Sequence, residues 1–300
     1  MSVQDTEEAA ISAIQAEILG VLGLKEHARA SRLLAPIFRL PASRMASLLA
    51  ELDNNVAKYG WQGGAQRFQT RFVQKAQVSG AESLPRQGPL LVVSNHPAAY
   101  DVIILAASLP RDDLKIISSP VSVAASLPSV APHFIFISEN AHERMGTVRA
   151  SLRHLREGGA LLIFPRGDAE PDPAVSPGAL ESLEHWSPSL DLFLEKAPQT
   201  QTVISVVTGV LSPGWFRSPL VRLWKRPEQR QKVAEILQVV QQLVWSKDLA
   251  LTPTVALSPP LSTETLRAGA AAPEAYLQAI TARTRQMLVE QAAAHPELQL

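Results

Sequence analysis

One histidine and one aspartate stand at a spacing that can do proton chemistry. His96 and Asp101 are separated by four residues in the stretch Asn95-His96-Pro97-Ala98-Ala99-Tyr100-Asp101. A carboxylate beside an imidazole holds one ring tautomer and stabilises the imidazolium that forms when the ring takes a proton, so the pair reads as a general base with its orienter. A histidine satisfied by a backbone carbonyl in a tight turn is the plain alternative. The flanks supply rigidity. Leu90-Leu91-Val92-Val93 closes on Ser94-Asn95, as a buried strand does at a turn, and Asp101 opens the apolar run Val102 to Ala107, which reads as a buried helix. His96 thus falls in a strand-to-helix turn, the edge at which open α/β sheets bind ligands. Covalent catalysis has no obvious nucleophile: the chain has no cysteine, and Ser94 lacks the Gly-x-Ser-x-Gly elbow. The other histidines show no ligand-like spacing, so no metal is expected.

Three hundred residues, 46% hydrophobic and 19% charged, suffice for a full core in one large domain or a small and a large one. Basic and acidic residues balance at 28 each, so no overall field draws the chain to nucleic acid. The absence of cysteine excludes disulfides and favours an intracellular compartment. No uninterrupted apolar run approaches the roughly 20 residues that span a bilayer, and the acidic amino terminus lacks a signal-peptide pattern. A cytoplasmic protein is expected, one that touches a membrane only from its inner face.

The elements read in order as follows. Ile11, Ile14, Ile18, Val21 and Leu22 fall at helical spacing; a second helix carrying Leu33, Leu34, Ile37 and Phe38 is expected to stop before Pro41, and a third to run from Ser43 toward the breaks at Gly60, Gly63 and Gly64. From Lys25 to Lys75 nine basic residues stand against three acidic ones, a composition suited to anionic lipid, to an acidic carrier protein, or to a plain solvated face. Strands are expected at 114–118, 133–137, 160–164, 202–210 and near 251–261, with helices at 121–127, 143–157, 190–196, 229–245 and 276–292. The turn-rich segment 173–186 suits a lid. Trp215, Phe216 and Trp224, interleaved with Arg217, Arg222, Lys225 and Arg226, have the composition of a membrane interface.

These stretches carry a family resemblance. Asn95 to Asp101 resembles the NHX4D signature of the glycerolipid acyltransferases, the group containing the lysophosphatidate and glycerol-3-phosphate acyltransferases. Gly80 to Pro89 resembles the turn-rich lead-in to that signature. His133 to Ile137 is similar to the second motif without its arginine, for which Arg144 and Arg149 lie close beyond as substitutes or as solvent-facing residues of the next helix. Arg156-Glu157-Gly158-Gly159-Ala160-Leu161-Leu162-Ile163-Phe164-Pro165 resembles the approach to the third motif, Phe-Pro-Glu-Gly-Thr-Arg, but Arg166, Asp168 and Ala169 stand where the family has glutamate, threonine and arginine. Glu170-Pro171-Asp172-Pro173 is similar to the Arg-Pro-Asp-Pro stretch of soluble chloroplast glycerol-3-phosphate acyltransferases, and Thr202 to Val210 resembles the fourth motif.

The resemblance spans about Val78 to Val289 and implies an α/β fold: a mostly parallel central sheet flanked by helices over 76–300, behind an N-terminal helical cap over 1–75. It implies transfer of a fatty acyl group from acyl-CoA or acyl carrier protein to a hydroxyl acceptor, glycerol-3-phosphate or a lysophospholipid. His96 would be the general base and Asp101 its orienter, with no bound cofactor. Asn95, Arg144, Pro165, Arg166, Gly167 and Asp168 are the expected substrate-binding residues. Arg166 either grips a phosphate or carboxylate or pairs with Asp168 or Glu170, and amides at the start of the Asp101 helix would hold the thioester oxyanion. Peripheral contact with an anionic membrane belongs to the same expectation. The same dyad would serve a thioester hydrolase, and the altered motifs leave room for a non-catalytic lipid- or acyl-binding protein.

Overall fold

Every residue of the strand Leu90–Ser94 is buried, with Leu90 and Val92 facing one apolar cluster and Leu91 and Val93 another. A strand covered on both faces belongs inside a parallel sheet sandwiched by helices. The structure, a computed structural model, describes residues 3–24, 28–73, 75–138, 140–245, 249–268 and 275–300. Its strands are β1 (Gln77–Ser79), β2 (Leu90–Ser94), β3 (Lys115–Ser118), β4 (Phe134–Phe136), β5 (Ala160–Ile163), β6 (Gln201–Thr208) and β7 (Thr254–Leu257), in one sheet of order β1-β7-β6-β2-β5-β3-β4. Strand pairings are parallel except for β6 with β7. The expected α/β architecture is the one found.

The helices are α1 (Val3–Val21), α2 (Ala28–Gln69), α3 (Asp101–Ser108), α4 (Ser122–Ala125), α5 (Ala141–Arg156), α6 (Ala179–Ser182), α7 (Ser189–Lys196), α8 (Pro213–Phe216), α9 (Pro227–Trp245), α10 (Thr263–Arg267) and α11 (Ala275–Ala294). One face of the sheet is covered by α2, α3 and α9 through Leu52, Trp61, Phe68, Ile104, Leu105 and Val233. The other is covered by α5, α7 and α11 through Leu155, Phe193, Leu194, Ile280 and Leu288. The second half of α2 therefore shares its core with the sheet, while α1 and the first half of α2 pack on each other through Ile11, Ile14, Ile18, Ala42 and Ala46.

The amino-terminal region departs from the expected short helices. A single run, α2, passes through both Pro36 and Pro41. An interior proline costs about 3 kcal/mol of local helix stability, and here the packing of Ala42 and Ala46 against α1 offsets it. The chain does break at Gly60 (φ 76°, ψ 175°), where a side chain's Cβ would lie 2.5 Å from Asp112 Oδ1. Asp112 Oδ1 accepts from the Gln62 amide at 3.0 Å and caps the second half.

By length and composition α2 is also apolar enough over Arg32–Gln69 to cross a bilayer, although no such run was expected. The apolar stretch at its start contains both prolines as well as Arg39, paired with Glu8, and Arg44, which donates to the Leu243 and Val244 carbonyls of α9. These partners tie it to α1 and α9. Its outward stripe is apolar all the same: Leu33, Ile37 and Leu40 are 78%, 65% and 49% exposed. Of the basic residues expected on this region, Lys25 and the side chain of Arg29 lie outside the described residues.

Candidate active site

Because β6, β2 and β5 lie side by side and parallel, their carboxyl ends open on one edge, and the loops 95–100, 165–172 and 209–212 meet there. Asn95 extends the sheet by one step: its Nδ2 donates to the Val207 carbonyl at 2.8 Å and its Oδ1 accepts from the Val207 amide at 2.7 Å. Both bonds commit its amide group to the fold, so the expected substrate-binding residue is also one that fixes the start of the loop.

His96 follows, with Nδ1 at 3.4 Å from Asp101 Oδ2; its side chain is 22% exposed and that of Asp101 fully buried. The ring stacks on Phe164, centroids 4.2 Å apart. With Nδ1 turned inward to the carboxylate, Nε2 is the nitrogen left to take a proton. Asp101 Oδ2 also accepts from the Ala98 amide at 2.8 Å, which closes the loop on itself. Burial works against a charged His96, but the neighbouring Asp101 carboxylate, with Glu235 and Glu170 beyond it, prevails and raises its pKa. Burial pushes the Asp101 carboxyl up to about 6 against the pull of His96.

A stripe of polar residues on α9, not anticipated as functional, braces this loop. Gln231 Nε2 donates to the Pro97 carbonyl at 2.7 Å and to the Glu170 carbonyl at 2.5 Å. Glu235 Oε1 accepts from the Ala99 amide at 2.8 Å. Gln238 Nε2 donates to the Tyr100 hydroxyl at 2.7 Å, and that hydroxyl bonds the Val210 carbonyl. The spacing 231, 235, 238 is one helical face and was the available sequence signal: glutamines and a glutamate on the side that should be apolar. Burial and the nearby Asp101 charge push the Glu235 carboxyl up to about 7, with the Ala99 amide opposing.

The loop after β5 is anchored from below. Glu170, 1% exposed, donates its amide to the His96 carbonyl at 2.8 Å and accepts from Ser182 Oγ and Trp186 Nε1 at 2.8 and 3.1 Å. Burial raises its carboxyl pKa despite those donors. Asp172, fully buried, accepts from the amides of Ala174, Gly209, Val210 and Leu211 and so joins this loop to the one after β6. These buried partners make 173–186 a packed wall, with Val175, Ala179, Leu183 and Trp186 in the interior, and not the lid its composition suggested.

The expected acceptor loop is present with its charges internally engaged. Arg166 Nη1 donates to the Ala169 carbonyl at 2.8 Å, and Asp168 pairs with Lys232 at 2.7 Å, so neither expected Arg166 pairing forms a hydrogen bond or ion pair. Gly167 (φ 74°) makes the tight turn, and the Pro165 carbonyl accepts from Ser187. Arg144 is in α5, and its side chain lies outside the described residues. Of the amides near the start of α3, those of Ala98 and Ala99 serve Asp101 and Glu235, and that of Asp101 donates to the Ala98 carbonyl at 3.1 Å.

The geometry is that of a base at a sheet edge, and comparison with known families gives its class. Residues 75–183 match the family model described as Acyltransferase. This segment is an acyltransferase domain. The acyltransferase domain so defined holds His96, Asp101 and the Arg166 loop, while the bracing helix α9 lies beyond it. No curated protein matches the chain significantly. Among solved structures, the chain is similar to the 1-acyl-sn-glycerophosphate (LPA) acyltransferase PlsC from Thermotoga maritima, at 15% identity and a TM-score of 0.46 over 84% of this chain and 82% of that one.

Proposed function

We propose that this acyltransferase moves a fatty acyl group from acyl-CoA or acyl carrier protein to the hydroxyl of glycerol-3-phosphate or a lysophospholipid, with His96 as general base and Asp101 as its orienter. The observation that carries the reading is the buried carboxylate of Asp101 at 3.4 Å from His96 Nδ1, inside the segment that matches the acyltransferase family. Nε2 takes the acceptor's hydroxyl proton as the oxygen attacks the thioester carbonyl. The carbon–sulfur bond then breaks, and the imidazolium returns the proton to the leaving thiolate. The long Nδ1 contact is of a kind that tightens when substrate is bound.

Arg166, partly exposed and held by one nitrogen to Ala169, is the cation we assign to the acceptor's phosphate. The outward stripe of Leu33, Ile37 and Leu40, with Arg32 exposed beside it, is the surface we assign to contact with an anionic membrane at its cytoplasmic face. One observation favours a second reading, hydrolysis of the thioester: the loop's Asp168 is paired with Lys232, and Arg166 is bonded to the Ala169 carbonyl of its own loop.

The test is thiol release from acyl-CoA with and without glycerol-3-phosphate or lysophosphatidate, for wild type and His96→Ala. Acceptor-dependent release that disappears in the variant is expected. Release without acceptor selects the hydrolase, and full activity in His96→Ala sinks both.

A further inference from the structure

The bracing stripe on α9 is uniform but for one residue. Gln231 and Gln238 meet the catalytic loop with neutral amides, and Gln242, the next residue of the stripe, donates to the Phe72 carbonyl at 2.6 Å. Glu235 alone is ionisable. Glu235 accepts from the Ala99 amide at 2.8 Å, with the Tyr100 amide also directed at its carboxylate, and a glutamine's Oε1 would keep an acceptor there without the charge. The neighbours give the charge a further use: the carboxylate is electrostatically coupled to Asp101 and His96, and the Ala99 amide it holds lies between those two residues in sequence.

We propose that Glu235 is a positioning residue of the acyl-transfer reaction, which fixes the 96–101 loop through the Ala99 amide and sets the basicity of His96 through its negative charge. The proposal rests on the reading of His96 as the base. A base that must take a proton from an alcohol works better when its conjugate acid is stabilised, and a second carboxylate behind the first does this without occupying the ring's reactive face. The groups that face His96 are Asp101 from α3, Glu235 from α9 and Glu170 from the loop after β5; those that face Glu235 are Asp101, His96 and Tyr100. Burial and Asp101 together hold the Glu235 carboxyl well above its ordinary range, so it is sensitive to the same charges it acts upon.

The experiment uses three forms of the full chain: wild type, Glu235→Gln and Glu235→Ala, with the exposed Glu228→Gln on the same helix as control. The His96 ring is followed by NMR titration of histidine-labelled protein, its signal assigned by its absence from His96→Ala. In Glu235→Gln, which keeps the acceptor for Ala99, the His96 midpoint should move to lower pH, and the acid limb of kcat/KM should move with it. In Glu235→Ala, kcat should fall about ten- to a hundred-fold with the acyl-donor KM little changed. A His96 midpoint in Glu235→Gln that overlays wild type and control overturns the electrostatic role, and a wild-type kcat in Glu235→Ala overturns the positioning role. The titration needs no substrate, so it decides the coupling even where the choice of donor or acceptor is wrong. Failure of His96 as the base shows separately, as retained turnover in His96→Ala.

Discussion

Asn95 and Val207, 112 residues apart, exchange two hydrogen bonds of 2.8 and 2.7 Å, so that the side chain of one completes the backbone ladder of the other. The residue before His96 is thus held against β6 as a continuation of β2 would be. Asn95→Ala strands a buried amide and a buried carbonyl and should cost about 2–4 kcal/mol of unfolding free energy, from two unsatisfied groups. Urea denaturation measures this; a loss below half a kilocalorie per mole would mean that the pairing contributes nothing.

The pH profile follows from the same loop. As the proposed base His96 must be neutral to act, and its pKa is raised by Asp101 against burial, so the acid limb of kcat/KM should lie above the ordinary imidazole value. Asp101→Asn keeps an acceptor for the Ala98 amide but removes the charge. It should move that limb to lower pH and reduce kcat by about two to four orders of magnitude, because the ring loses its orienter. A limb that stays in place in Asp101→Asn would separate the two residues.

Arg166 offers a test of acceptor recognition. Its link to the fold is one hydrogen bond to Ala169, and a charge-assisted contact to phosphate is worth about 1.5–3 kcal/mol. Arg166→Ala should therefore raise the acceptor KM by about ten- to a hundred-fold while leaving the acyl-donor KM unchanged. An unchanged acceptor KM would assign the arginine to the loop alone.

Membrane contact is checked by co-sedimentation with vesicles of anionic and neutral lipid. The double variant Leu33→Ser and Ile37→Ser removes two exposed apolar side chains and should weaken binding to anionic vesicles by about tenfold or more, with stronger binding at low than at high salt in both forms. Equal binding by wild type and variant would move the contact elsewhere, and the exposed Leu220 and Leu223 would be the next residues to change.

Local order was legible in the sequence. The apolar run before Asn95, the short loop and the apolar run after Asp101 dictated strand, turn and helix, because each rests on side chains a few residues apart. The alternation of buried strands and amphipathic helices announced the parallel sheet for the same reason, and the spacing of His96 and Asp101 announced their pairing, since one turn of chain brings them within 3.4 Å.

Whatever depends on long separations was decided by the tertiary structure. Proline propensity alone stopped a helix at Pro41 that packing against α1 carries through. The composition of 173–186 suggested a lid, where buried hydrogen bonds to Glu170 and Asp172 make a wall. The Ala98 and Ala99 amides of the loop are held by Asp101 and by Glu235, which is 136 residues from Ala99. The sequence determined the local elements that present His96 and Asp101 to each other. Only the folded chain decided which distant carboxylates and amides surround them, because burial and charge pairing are set by neighbours in space.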